Sequence, residues 1–180
     1  MSVVHLVPIC LPSQPPLLDH VGAQISRAFA ATATVRSLRF DPELAFDRSR
    51  GQYNSTELLA SLLAESAESE DRILGIAGVD LFIPILTYVF GEAQLSGRAA
   101  VVSTYRLDNT VYGLPSNHRL LLDRLTKEAI HELGHTCGLV HCNRSVCVMH
   151  SSTYVEDIDL KSARFCPTCQ EQVRAAPPQR

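Results

Sequence analysis

HELGHTCGLVHC, residues His131–Cys142, spaces three histidines by four and then six positions, with a glutamate after the first and a cysteine after the last. It ends the clearest helical pattern in the chain, Asn117 to Cys137, where Leu122, Leu125, Ala129, Leu133 and Cys137 form one apolar stripe. Ser116 is placed to cap this helix. Asp123 with Lys127, and Arg124 with Glu128, set opposite charges four residues apart on what reads as its exposed side. Gly138 stands where a left-handed residue ends a helix and swings the chain round.

At about 3.6 residues per turn, His131 and His135 point the same way and can reach one metal ion. His141 lies beyond the turn, where a reversed chain can supply a third nitrogen. Glu132 is about 100° round the helix axis, near enough to hold a water on that metal. Three neutral imidazoles with one open position are the pattern of a catalytic zinc; a structural zinc is closed by four protein ligands. Zinc lowers the pKa of bound water from ~15.7 toward ~7 and polarises a carbonyl. Glu132 would take the water's proton and pass it to a leaving amine. The expectation is peptide hydrolysis, with His131, His135 and His141 as zinc ligands and Glu132 as the catalytic residue. HExxH alone arises by chance in on the order of one such chain in a hundred, and Gly138 with His141 in register cuts this by roughly two to three orders of magnitude.

Of the six cysteines, Cys142, Cys147, Cys166 and Cys169 crowd the last part of the chain. Four thiolates close a tetrahedral zinc with no room for water. Cys166-x-x-Cys169 gives a tight knuckle and Cys142 with Cys147 the other pair, so a second, structural ion is expected: two zincs per chain. It would stiffen a short segment and lock the backbone of His141. The rivals are a CPTC redox pair opening a helix and disulfides, which need an oxidising compartment. Cys137 on the helix stripe and Cys10 near a strand end read as small hydrophobes.

The 180 residues favour one domain with a real core. A net charge of −3, no basic run and no bilayer-length apolar stretch argue against nucleic acid and membrane as partners. The N-terminus, MSVVHLVPICLPSQPP, lacks a basic region and a small-residue cleavage site, and reads as a first strand of a cytoplasmic protein.

Val3–Ile9 is that strand. After a PSQPP turn, Leu17, Leu18, Val21, Ile25, Ala28 and Phe29 share a helical face. Ala33–Leu38 reads as a second strand, and a helix with Leu58, Leu59, Leu62 and Leu63 starts near Asn54 and Glu57. Arg72–Ala77, Thr87–Gln94 and Arg98–Tyr105 are β-rich. The order indicates a mixed sheet covered by helices, an α/β (α+β mixed) fold. The tail after Val173, RAAPPQR, is expected to fray. His5, His20, His118 and His150 carry no ligand spacing and read as structural.

HELGHTCGLVH matches HExxHxxGxxH, and so resembles the metzincin clan of zinc peptidases. Met149 in CVMH is placed to be the clan's Met-turn methionine. A cysteine directly after the last histidine, then Cys147 and Cys166-Pro167-Thr168-Cys169, is similar to the archaemetzincin family in particular. RGQYNSTELL, DRILGIAGVDLFIP, YVFGEAQ and RAAVVSTYRL agree, so the resemblance covers roughly Val3–Val173. The Met149–Cys166 gap is slightly shorter than the family's usual spacing.

The resemblance implies an open five-stranded mixed sheet with an active-site helix and a small zinc-stabilised C-terminal subdomain. The boundaries are 1–138 for the sheet and helix and 139–180 for the Met-turn and cysteine site, within one compact catalytic domain. It implies a monomer acting on peptides, with aminopeptidase activity on small peptides as the finer expectation. An edge strand Tyr88–Ala93 would pair with substrate backbone, with Gly91 allowing close approach; an ordinary buried strand is the rival. Asp157, Asp159 and Lys161 either line the specificity pocket or form a solvated loop. Glu92 would meet a free amino terminus. The alternative function is a catalytically idle, zinc-stabilised protein-binding module.

Overall fold

Short apolar runs alternating with amphipathic helices build a sheet covered on both faces. The computed structural model describes residues 3–12, 15–37, 39–65 and 71–176. Strand β1 (Val3–Ile9), helix α1 (Pro15–Phe29) and strand β2 (Thr32–Val35) come first. Then follow β3 (Phe46–Asp47), β4 (Gln52–Asn54), α2 (Ser55–Glu65), β5 (Arg72–Ala77), β6 (Leu81–Phe82), β7 (Gly91–Ala93) and β8 (Ala99–Ser103). The last helices are α3 (His118–Thr136), α4 (Val155–Leu160) and α5 (Pro167–Ala175).

The main sheet has the order β2-β1-β5-β8-β7. Its first four strands are parallel, and β7 closes one edge antiparallel to β8. Strands covered on both faces read as unbroken apolar runs, as RILGIA in β5 and AAVVS in β8 do. On one face Val4, Leu6, Leu74, Ile76, Ala100 and Val102 pack against α1 and α3. On the other Val7, Ile9, Ile73, Ala77 and Val101 meet Leu58, Leu59 and Leu62 of α2. This is the expected five-stranded mixed sheet.

Strand alternation decides what the edge strand offers each face. Gly91 pairs with Val102 and so faces α3, whereas Glu92 pairs with Val101 and faces α2. The expected strand Thr87–Gln94 is shorter: only Gly91–Ala93 joins the ladder, with Val89 bridged to Leu81. A second sheet, β3-β4-β6, has strands too short to show periodicity in sequence.

Helix α3 corrects two expectations. Its cap is Asn117, whose side chain accepts from the Leu120 N–H at 3.0 Å, not Ser116. The supposed exposed side is buried, with Arg124, Lys127 and Glu128 at 4, 6 and 3% exposure, because α1, α4, β7 and β8 surround the helix. Lys127 keeps its partner Asp123 at 2.6 Å, but Arg124 and Glu128 pair elsewhere. The tail is ordered further than expected, with Arg174 and Ala175 still in α5. Ser13 and Gln14 of the expected turn, Leu38 of the second strand and Pro177–Arg180 lie outside the described residues. Among the described residues no helix is long and apolar enough to cross a membrane.

Candidate active site

The end of α3 is built to gather histidines. Gly138 has φ +88°, the Leu139 N–H donates to the Gly134 carbonyl at 3.2 Å, and the Gly138 N–H donates to that of His135 at 2.9 Å. This paired closure is a Schellman motif, which satisfies the last carbonyls and reverses the chain. The reversed Leu139 carbonyl accepts from His135 Nδ1 at 2.7 Å, and the Val148 carbonyl accepts from His131 Nδ1 at 2.8 Å. With a proton on each Nδ1, both Nε2 atoms carry lone pairs, and these face each other at 3.1 Å.

His141 completes the group, its ring centroid 5.3 Å from that of His131 and 5.1 Å from that of His135. One ligand atom from each of the three lies within 4.8 Å of the others. Converging lone pairs repel unless a cation lies between them, and nitrogens held at ~2.0–2.1 Å in a tetrahedron would stand ~3.3 Å apart. The donor set suits zinc. Burial pushes all three rings toward the neutral, metal-binding form: it is the leading cause at each, with Lys161 next at His131 and His141.

Glu132 points into the same cleft, with a carboxyl pushed well up by burial and then by the nearby Glu128 charge. Above it runs the backbone of Gly91, where a Cβ would stand 2.7 Å from Glu132 Cγ and Oε1 and 2.6 Å from the Val101 carbonyl. The close approach expected of Gly91 therefore serves the glutamate. The cleft has about 400 Å³ and is walled by Leu86–Gly91 and by Ser151–Tyr154, with Glu128, His131, Glu132 and His141 at its base. Tyr88 ties the two walls by donating to the Thr153 carbonyl at 3.0 Å.

Met149 is fully buried beneath the histidines, as expected for a Met-turn. Its sulfur packs on Gly134, where any added Cβ would collide with it. The Cys142 N–H donates to the Met149 carbonyl at 2.8 Å, so the thiol after His141 belongs to the strut under the site. Cys142, Cys147, Cys166 and Cys169 bring their sulfurs within 4.8 Å of one another, and all six cysteines are free of disulfides. Cys142 and Cys166 sulfurs are 3.9 Å apart, against ~3.8 Å for the edge of a zinc tetrathiolate. The Cys166 N–H donates to the Cys147 sulfur at 3.3 Å, support suited to a thiolate. The backbone N–H of Cys169 leads in holding the Cys166 thiol down to about 7, while burial leads in pushing up those of Cys147 and Cys169. CPTC does open a helix, α5, but its sulfurs face the other two cysteines.

Several candidates sit elsewhere than expected. Asp159 forms a two-point pair with buried Arg124 at 2.8 and 2.7 Å, and Lys161 lies 2.8 Å from Glu128. Neither residue lines the cleft: Asp159, exposed on α4, and Lys161, buried, together fasten the chain beyond the Met-turn to α3. Asp157 caps α4, accepting from the Thr153 and Tyr154 N–H groups at 2.9 Å, which lower its pKa. Glu92 accepts from the Ser55 hydroxyl at 2.5 Å and from Thr56 at 3.0 and 3.1 Å, on the face away from Glu132. Cys10 is exposed at φ +46°, not packed as a small hydrophobe. His5 pairs with Thr34 and Asp71, and His150 Nδ1 with the Cys142 carbonyl. Sequence reasoning missed the Val148 and Leu139 carbonyls and the roles of Gly134, Glu128 and Lys161. Backbone acceptors leave no trace in residue identity.

A parallel sheet with one antiparallel edge strand, set over a helix carrying HExxH with a third histidine after its turn, defines a zinc metallopeptidase. The profile of peptidase family M54 matches residues 33–175, and the chain belongs to that family, the archaemetzincins. The archaemetzincin of Methanocaldococcus jannaschii is 45% identical over 133 residues, 74% of this chain and 72% of that one. The crystal structure of archaemetzincin from Methanopyrus kandleri has a TM-score of 0.85 at 35% identity, covering 97% of this chain and 94% of that one. A zinc-dependent peptidase from Methanocorpusculum labreanum gives 0.84 at 27% identity, covering 94% of this chain and 99% of that one.

Proposed function

We propose that this peptidase cleaves peptide bonds at a zinc held by His131, His135 and His141, with Glu132 as proton acceptor. The carrying observation is the convergence of three ring nitrogens, two of them left with free lone pairs because carbonyls accept the N–H on the far side of their rings, beside a buried carboxyl. Zinc bound there supplies Lewis acidity, which makes a water acidic near neutral pH and polarises a carbonyl. Glu132 is suited to accept the water's proton and return it to the leaving nitrogen, because it lines the cleft beside His131 and His141. Val148 and Leu139 keep two rings oriented, as outer hydrogen bonds do for metal-binding histidines. The outer edge of β7 is the last in its sheet and is suited to pair with an extended peptide.

Cys142, Cys147, Cys166 and Cys169 hold a second, structural zinc in this reading, which makes two ions per chain and ties residues 139–176 to the active-site helix. A cleft of about 400 Å³ supports short peptides as substrates. Aminopeptidase action needs a partner for the free amine other than Glu92, whose carboxylate is engaged by Ser55 and Thr56.

Replacing Glu132 with alanine tests the mechanism. The variant is expected to keep two zincs and the parent's circular dichroism while peptide hydrolysis falls by at least ~10²-fold, as for loss of a positioned acid–base group. Hydrolysis at the parent rate would refute the role of Glu132. An intact, zinc-loaded parent that turns over no peptide in a library would leave the idle binding module as the reading.

A further inference from the structure

We infer that a cavity on the far side of the active-site helix, between the ends of α1, α3 and α5, binds a small phosphate-type oxyanion. The cavity has about 370 Å³, within the size range of ligand sites. Among the described residues its lining holds three arginines, Arg27, Arg72 and Arg174, together with Gln170 and Cys137, and no carboxylate. It shares no residue with the cleft of the histidine site.

Arg72 carries the argument. It is 4% exposed, yet among the described residues it has no ion-pair partner. Its Nε–H donates to the Thr136 hydroxyl at 2.9 Å, and a hydroxyl is no counter-charge. A guanidinium carries five N–H donors in a fork that fits two oxygens of a phosphate or carboxylate. Taking such a charge out of water without an anion is costly, so buried charges are normally paired. The nearest acid in sequence, Asp71, is taken by His5 at 3.2 Å. Glu171, beside Gln170, is exposed and not part of the lining.

A competing account is that the arginines answer helix dipoles. Arg27 and Arg174 stand in the last turns of α1 and α5, and Thr136 ends α3. A helix C-terminus carries about half a negative charge. Three such ends cancel roughly half of three full cations, and the cavity stays positive in a chain whose net charge is −3. An oxyanion supplies what is missing. Its place is one residue from His135, through the Arg72–Thr136 bond, so the bound anion would steady the end of the histidine-bearing helix.

The test is isothermal titration of the zinc-loaded full chain with inorganic phosphate, and separately with sulfate, which does not strip zinc, at fixed ionic strength. Saturable binding of one anion per chain is expected. The surface double variant Arg27→Ala/Arg174→Ala should bind at least tenfold more weakly with unchanged zinc content and circular dichroism. Arg72→Met should abolish binding, and if it fails to fold the surface pair still decides. Heat signals that never saturate, or equal affinity in the double variant, would overturn the site. Titration with ADP identifies the source: tighter binding than phosphate marks a phosphorylated metabolite, and no gain marks the free anion.

Discussion

At Gly91 the backbone of the edge strand comes so close to Glu132 that a methyl group has no room. Gly91→Ala must displace either the carboxylate or the β7–β8 ladder. Small displacements of a catalytic group are expensive, so kcat/KM is expected to fall on the order of 10²-fold with only a slight loss of Tm. Unchanged kinetics would show that the contact is immaterial. Lys161 makes a different kind of demand. Its ammonium is wholly buried against Glu128 and also donates to the His150 carbonyl at 3.1 Å. Lys161→Met leaves a carboxyl buried without its cation, expected to cost about 3–5 kcal/mol in urea unfolding. The double variant Lys161→Met/Glu128→Leu removes both charges and should recover most of that loss. Should single and double variants be equally unstable, packing by Lys161 rather than charge would be the cause.

The elements divide the work between a helix that presents the histidines and a segment beyond Gly138 that holds them in place. Val148, Met149, Cys147, Cys166 and Cys169 all pack into the same core as α1 and α3. Phe165 meets the Phe29 ring edge-on at 5.5 Å, which joins the segment to α1 as well. Removing one sulfur should therefore be felt at the histidines. Cys166→Ser is expected to lose one zinc per chain, to speed hydrogen exchange across residues 142–170, and to weaken zinc retention at the histidine site through the Val148 carbonyl. Full zinc content with parent-like exchange would sink the four-sulfur assignment. Much of this was legible beforehand. The helix, its glycine stop and the grouping of three histidines and of four cysteines follow from spacing, because a helix fixes its own periodicity locally. Asn117 in place of Ser116 as cap is a shift of one residue in a rule that admits either.

For the whole molecule, the titration of the three histidine rings sets a direction with pH. Burial holds His131, His135 and His141 below their ordinary range in the folded, metal-free chain. The unfolded chain takes up protons on these rings below ~6.5 while the folded chain resists. Stability therefore declines as pH falls through that value and is retained above it. Zinc competes with protons for the same nitrogens, so its retention should fall in the same direction. The urea midpoint of metal-free protein is expected to drop between pH 7 and 5, and less steeply for His131→Asn. A flat profile in the parent would contradict the lowered titration of the rings.

The sequence by itself determined the spacing of the candidate ligands, the helix that carries the first two, the turn after it and the mixed character of the sheet. Each of these rests on local spacing or on the alternation of short segments. It misread Arg124, Glu128 and Lys161, since charges in a sequence look alike whether water or another element faces them. Only the tertiary structure paired Arg124 with Asp159 and Glu128 with Lys161, turned Glu92 away from Glu132 and aimed the Val148 carbonyl at His131. Those contacts join residues distant in the chain. Their partners are chosen by which faces the packed sheet and helices bring together, and no local pattern encodes that.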